Sequence, residues 1–85
     1  MDKEMSLKNR DRLIQLGITI STFRKYRGLS QEQLAARMQV EVIPLNQKAV
    51  SRVETGLRVV SDYELMTFAR VLRVTMEHLV GQEEG

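Results

Sequence analysis

The chain has 85 residues, a net charge of +2 and no cysteine, which predicts one small domain with neither a disulfide framework nor a thiolate metal site. His78 is the only histidine, which argues against most histidine-based metal sites and acid–base catalysis. We therefore expect no cofactor, no metal site and no enzymatic activity. No apolar run approaches the ~20 residues of a membrane span, and residues 1–4 do not begin a signal peptide. We therefore expect a cytoplasmic protein without a membrane segment.

The first predicted helix extends from Ser6 or Asn9 to Arg27. Gly17 weakens a helix by ~1 kcal/mol relative to alanine, which predicts a kink or a separate N-terminal turn. Gly28 follows this helix at the position where a residue with a left-handed backbone commonly caps the C-terminus. Residues 1–8 are predicted to be a flexible N-terminus. The helical spacing of three or four residues is formed by Leu13, Leu16, Ile20, Phe23 and Arg27.

A capping box predicts the start of the second helix. Ser30 is the cap, and Gln33 can reach back to its backbone N–H. Residues 39–45 contain Pro44 and three β-branched residues, which predict an extended connector after this helix. We expect some of the connector's apolar residues to cover the core and the rest to form a contact patch. These residues are Val40, Val42, Ile43 and Leu45.

Residues 46–56 predict a short third helix with a polar cap at Asn46 and a glycine stop at Gly56. Val50 and Val53 are three residues apart and share a face that can be buried. The positions off this stripe include residue types that hydrogen-bond base edges in the DNA major groove. They are Gln47, Lys48, Ser51 and Arg52.

Two further helices complete the prediction. Ser61 and Glu64 form a second capping box, and Thr75 caps a short last helix. Residues 82–85 are predicted to be a flexible polar tail, so the domain occupies residues 9–81. The sequence therefore predicts an all-α bundle of five helices with an extended connector. The apolar face of the fourth helix is formed by Leu65, Phe68, Ala69 and Leu72.

The charge is distributed unevenly along the chain. Residues 21–58 contain seven Lys or Arg and three Asp or Glu, whereas residues 59–85 contain two and five. A basic middle followed by an acidic end can orient a domain on DNA. An ordinary mixed-charge surface is the alternative interpretation.

Three motifs in this order resemble the phage repressor/Cro-like (Xre) family of helix-turn-helix domains. They are FRxxRGLSQxxLA at residues 23–35, VSRVExG at 50–56 and DYELxxxAxxLxV at 62–74. The resemblance extends over residues 16–81. It implies that the helix at 31–38 lies across the DNA backbone and that the helix at 47–54 enters the major groove. Family members commonly join these helices by a short turn, whereas residues 41–45 are inserted here.

The resemblance also implies residue roles. Gln47, Lys48 and Arg52 match base-facing positions. Gln31 matches a phosphate-binding glutamine, and its place in the first turn of a helix favours an anion. Thr55 and Arg58 fall where loop residues approach phosphates. The remaining implied role is an internal salt bridge between Arg24 and Glu54.

Side-chain chemistry refines these expectations. Arg52 can donate two hydrogen bonds to guanine, and Gln47 can pair with adenine in the same bidentate way. Lys48 is a point charge suited to guanine or phosphate. Ala49 could contact a thymine methyl, although an alanine in a helix needs no special reason. Ser51 is predicted to bind phosphate with Gln31, Thr55 and Arg58.

The expected function is a sequence-specific DNA-binding regulator, and specifically a repressor, that binds a palindromic operator in double-stranded DNA as a homodimer. A regulatory protein partner would be compatible with it. The alternative is a protein-interaction module on the same fold, such as an antitoxin or a complex subunit, that binds its partner through the connector at residues 40–45. An enzyme is disfavoured because one histidine and no cysteine provide no nucleophile–base pair.

Overall fold

A computed structural model describes residues 10–81, and the predicted flexible segments at 1–8 and 82–85 lie outside these residues. The predicted all-α bundle is confirmed. None of the helices within residues 10–81 is long and apolar enough to cross a membrane. The five helices of the described part of the chain are α1 (Arg10–Tyr26), α2 (Gln31–Val40), α3 (Gln47–Glu54), α4 (Asp62–Leu72) and α5 (Met76–Val80).

Polar caps begin the last four helices as the sequence predicts. The Ser30 hydroxyl accepts a hydrogen bond from Gln33 N, and the Gln33 side chain accepts one from Ser30 N. Ser61 and Glu64 form the same reciprocal pair at α4. Asn46 caps α3, and Thr75 caps α5. Because each cap satisfies backbone donors that have no partner within their helix, the helix starts are fixed locally.

One apolar core joins the helices. Phe68 of α4 is fully buried in this core. Helices α2 and α3 pack against each other, α2 also packs against α4, and α3 also packs against α1. Helix α3 therefore packs on the bundle through one face only. The fully buried side chains include Ile20, Leu34, Met38, Val50, Val53, Phe68, Leu72 and Leu79.

The structure corrects the prediction of a kink at Gly17. Helix α1 is continuous from Arg10 to Tyr26. A Cβ at Gly17 would lie 2.5 Å from the carbonyl oxygens of both Val53 and Glu54. Gly17 is therefore a point of close approach between α1 and the end of α3, where no side chain fits.

The connector differs from the prediction in one respect. Helix α2 continues to Val40, and a turn at residues 41–42 precedes residues 43–46, which have no regular structure. Val42 has a left-handed backbone with φ of 68°, which is unfavourable for a β-branched residue. Ile43 and Leu45 are each 3% exposed, so they cover the core. Val40 and Val42 are 81% and 80% exposed, so the prediction that only some of the connector's apolar residues cover the core is confirmed, and the contact patch stays a prediction.

Arg27 ties the end of α1 to the end of α4. Its Nε donates to Leu72 O at 2.8 Å, and its Nη2 donates to Arg73 O at 3.1 Å. Because carbonyls at a helix C-terminus lack partners within the helix, the guanidinium satisfies groups that would otherwise need water. Arg27 is exposed and belongs to this cap, not to the apolar face of α1.

Candidate nucleic-acid interface

Helix α3 has a buried face and a polar exposed face. Val50 and Val53 are buried in the core. Lys48 and Arg52 are exposed on the opposite side, as the periodicity of an α-helix requires. Gln47 is exposed at the edge of the buried face, next to α2. The helix therefore presents donor-rich side chains to solvent while its apolar side holds it in the bundle.

The predicted salt bridge between Arg24 and Glu54 is present. Arg24 Nε donates to Glu54 Oε2 at 2.6 Å, and Arg24 Nη2 donates to Glu54 Oε1 at 3.0 Å. The two side chains are 11% and 6% exposed. Arg24 Nη1 also donates to Leu29 O at 2.8 Å. This bidentate pair links α1 to the last residue of α3, so it fixes the position of α3 near Gly17.

Gln31 and Gln47 form a contact that the sequence did not predict. Gln47 Nε2 donates to Gln31 Oε1 at 2.6 Å, and Gln31 Nε2 donates to Glu54 Oε1 at 2.9 Å. The predicted phosphate-binding and adenine-reading glutamines are therefore paired with each other. Gln31 keeps one N–H for another acceptor, and Gln47 keeps one N–H and its oxygen.

Lys48 and Arg52 lie one helical turn apart beside a shallow depression of about 250 Å³. Within residues 10–81, neither side chain makes a hydrogen bond or an ion pair. The charges of Lys48 and Arg52 make the concavity electropositive and suited to an anion or to acceptor atoms of bases, whereas the charge of Arg58 is balanced by Glu64. The depression is lined by Asn46, Lys48, Ala49, Arg52, Leu57 and Arg58.

The other predicted DNA-contacting residues of α3 have mixed surroundings. Ala49 is half-buried and packs against the core. Ser51 is half-buried. The Thr55 hydroxyl approaches Ser51 O at 3.0 Å and Arg52 O at 3.3 Å. Because a hydroxyl has one proton, Thr55 would have to rotate before this group could donate to a phosphate.

Arg58 is held by Glu64. Its Nη1 donates to Glu64 Oε1 at 2.9 Å, and its Nη2 donates to Glu64 Oε2 at 3.2 Å. Glu64 Oε1 also accepts from Ser61 N, so one carboxylate serves the α4 cap and the loop arginine. Arg58 is thereby positioned at the edge of the depression beside Arg52.

The pKa of Glu64 is shifted by these contacts. Partial burial raises it, but the hydrogen bonds from Arg58 and Ser61 and the positive charge of Arg58 outweigh burial and lower the pKa below its ordinary value of 4.5. The carboxylate is therefore stabilised in its charged form.

Sequence reasoning missed the two contacts that order these side chains. Glu64 was assigned only to the capping box, although its position six residues after Arg58 allowed a contact across the loop. The pairing of Gln31 with Gln47 was recoverable only from the packing of α2 against α3. Among residues 10–81, no group of three or more His, Cys, Asp or Glu side chains is arranged to hold a metal ion.

Comparisons with known proteins match most of the chain to a helix-turn-helix domain. The family model described as "Helix-turn-helix domain" matches residues 15–80. The structure is similar to the crystal structure of the restriction-modification controller protein C.AhdI from Aeromonas hydrophila, with a TM-score of 0.70 and 31% sequence identity. That match covers 79% of this chain and 94% of the other. No curated protein matches the chain.

Proposed function

The chain belongs to the helix-turn-helix domain family, in its repressor/Cro-like (Xre) group, and from this premise we propose that it is a sequence-specific DNA-binding transcription regulator. Helix α3 is the reading element, and α2 lies across the DNA backbone. The similarity to a restriction-modification controller protein supports a regulatory role.

The observation that carries this proposal is the exposed face of α3. Gln47, Lys48 and Arg52 are exposed, while Val50 and Val53 anchor the helix. Amide and guanidinium groups are the side chains that read adenine and guanine by paired hydrogen bonds. In this proposal, Ala49 lies beside these readers and contacts a thymine methyl.

In this proposal, contacts to the DNA phosphates set the position of α3 on the duplex. Gln31 offers its remaining N–H to a phosphate, and Arg58, held by Glu64, reaches the phosphate next to the base that Arg52 reads. Ser51 and Thr55 complete the proposed phosphate-binding set. These contacts carry affinity without sequence information.

We propose repression as the outcome, by occupancy of a palindromic operator. One small domain buries limited DNA surface, and a symmetric pair of chains matches a palindrome. The regulator therefore acts as a homodimer, and its regulation comes from its concentration or from a protein partner.

The test is selection of bound sequences from a random DNA pool, followed by affinity measurements over a range of salt concentrations. A palindromic consensus and a logarithmic affinity that falls linearly with the logarithm of the salt concentration are expected, with a slope of roughly −0.9 per neutralised phosphate. Recovery of no consensus, or affinity independent of salt, contradicts the proposal.

A second candidate function is a protein-interaction module that uses the connector. Val42, Ile43 and Leu45 were expected to contact the partner, but Ile43 and Leu45 are buried in the core and are unavailable. Val40 and Val42 are exposed apolar side chains. Binding to a partner through these two valines would depend weakly on salt, which distinguishes it from DNA binding.

A further inference from the structure

Four side chains form one continuous hydrogen-bonded chain behind the exposed face of α3. Gln47 Nε2 donates to Gln31 Oε1 at 2.6 Å, and Gln31 Nε2 donates to Glu54 Oε1 at 2.9 Å. Arg24 donates to both oxygens of Glu54 from the opposite side. The Glu54 side chain is only 6% exposed, so this end of the chain is fixed while the Gln47 end faces solvent.

The Glu54 carboxylate determines the direction of this chain. An ionised carboxylate only accepts hydrogen bonds, so the Gln31 group that faces it must be the amide nitrogen. The Gln31 oxygen then faces Gln47, and Gln47 must present its own nitrogen. Reversal of either amide would place two acceptors against each other at the observed 2.6 or 2.9 Å.

This direction determines what Gln47 offers to a base. One of its two N–H groups is donated to Gln31, and the other N–H and the oxygen remain as a donor–acceptor pair. Adenine presents an acceptor at N7 and a donor at N6 in the major groove, whereas guanine presents acceptors at both N7 and O6. The free edge of Gln47 is therefore complementary to adenine.

We propose that Glu54 is a positioning residue that makes Gln47 select adenine over guanine, although Glu54 itself contacts no base. The inference rests on the proposed function, in which Gln47 reads the major groove. Glu54 acts through Gln31, so Gln31 couples the internal salt bridge to base selection in addition to its proposed phosphate contact.

Glu54→Gln is expected to leave the direction of the chain undetermined. Arg24 donates to both oxygens of Glu54, and its Nη2 shares Oε1 with Gln31 Nε2, so the new amide can turn either its oxygen or its nitrogen towards Gln31 with the loss of one Arg24 hydrogen bond. When the nitrogen faces Gln31, Gln31 presents its nitrogen to the Gln47 oxygen, and the two N–H groups of Gln47 point outward. Two donors are complementary to the two acceptors of guanine. The variant should therefore move the preference from adenine towards guanine.

The experiment compares the full chain, Glu54→Gln, Gln31→Met and the double variant by selection from random DNA, and then by affinity for each base at each selected position. The wild-type protein should prefer adenine by about tenfold or more at one position of each half-site. Glu54→Gln should shift that position towards guanine. Gln31→Met and the double variant should both reduce the preference to about threefold or less, because the coupling is broken.

Gln15→Met on exposed α1 is the matched control and should keep the wild-type preference. Adenine preference retained in both Glu54→Gln and Gln31→Met, or a uniform loss of affinity at every position, overturns the inference. If circular dichroism shows that Glu54→Gln is unfolded, the base preference of Gln31→Met tests the inference alone, since this variant leaves the Arg24–Glu54 pair intact. A wild-type protein that selects no sequence refutes the proposed function itself, whereas a selected sequence without this dependence on Gln31 refutes only the inference.

Discussion

Gly17 of α1 lies so close to Glu54 of α3 that a Cβ at Gly17 would stand 2.5 Å from the Glu54 carbonyl oxygen. This close contact determines the distance between α1 and the end of α3. Two effects of Gly17→Ala therefore oppose each other, since alanine favours the helix whereas its methyl group meets backbone that cannot rotate away.

We expect Gly17→Ala to destabilise the protein. Helix propensity gains ~1 kcal/mol, but separating two packed helices costs more, and a net loss of about 1–3 kcal/mol follows from overpacking. Denaturant unfolding measures this change in the free energy of unfolding. Gln15→Ala, exposed on the same helix, should leave stability within about 0.5 kcal/mol. A Gly17→Ala protein as stable as this control would show that the approach does not constrain the helices.

The Arg24–Glu54 pair provides a second prediction. Arg24→Met leaves the Glu54 carboxylate buried with Gln31 as its remaining side-chain partner, and loss of one member of a buried pair costs about 3–5 kcal/mol. Arg24→Met combined with Glu54→Leu removes both charges and should cost less than Arg24→Met alone. Unfolding free energies of the two single variants and the double variant test this. A double variant that loses the sum of the single losses contradicts coupling between the side chains.

These features differ in how far the sequence predicts them. The caps at Ser30 and Ser61 are local, because each hydroxyl bonds to a backbone N–H three residues away. Arg24 and Glu54 were paired by motif resemblance. The role of Gly17 depends on α3 carbonyls that are distant in sequence, so local propensity predicted a kink instead. Residues 39–45 were predicted to be extended because Pro44 and the β-branched residues disfavour a helix, and this pattern does not predict the positive φ that Val42 adopts.

Arg52 and Arg58 should have separable effects on DNA binding. Arg52 is exposed on α3 and proposed to read a guanine, so Arg52→Ala should cost about 1–3 kcal/mol on the selected site and less on random DNA. Arg58 is proposed to bind phosphate, so Arg58→Ala should weaken all sequences alike and reduce the salt slope by about 1. Binding titrations on specific and random DNA at several salt concentrations measure both. Equal losses on both DNAs for the two variants would refute this division of roles.

The pKa of Glu64 predicts a pH dependence of stability. Its folded-state pKa is lowered below the ordinary value of 4.5, so the unfolded chain takes up this proton first as the pH falls. The stabilisation is therefore complete above pH 4.5 and is lost as the pH falls through the folded-state pKa. Thermal melting between pH 3 and 6 should show a smaller acid-induced loss for Glu64→Gln than for wild type. Arg58→Met should have the same effect, since it removes the main contact that lowers the pKa. An unchanged acid-induced loss in both variants contradicts the assignment.

Val42 stores backbone strain that a substitution can release. Its φ of 68° is in the left-handed region, which costs an L-residue roughly 1–2 kcal/mol and which asparagine tolerates better. The side chain is 80% exposed, so little packing is lost, and Val42→Asn should stabilise the protein by about 1 kcal/mol in denaturant unfolding. Val40→Asn is the matched control, because Val40 is equally exposed but ends α2 without left-handed geometry. Val40→Asn should not stabilise the protein. Stabilisation by both variants would mean that relief of exposed apolar surface, and not of backbone strain, is responsible. If Val42→Asn also leaves DNA binding unchanged, the strain at Val42 serves no DNA contact.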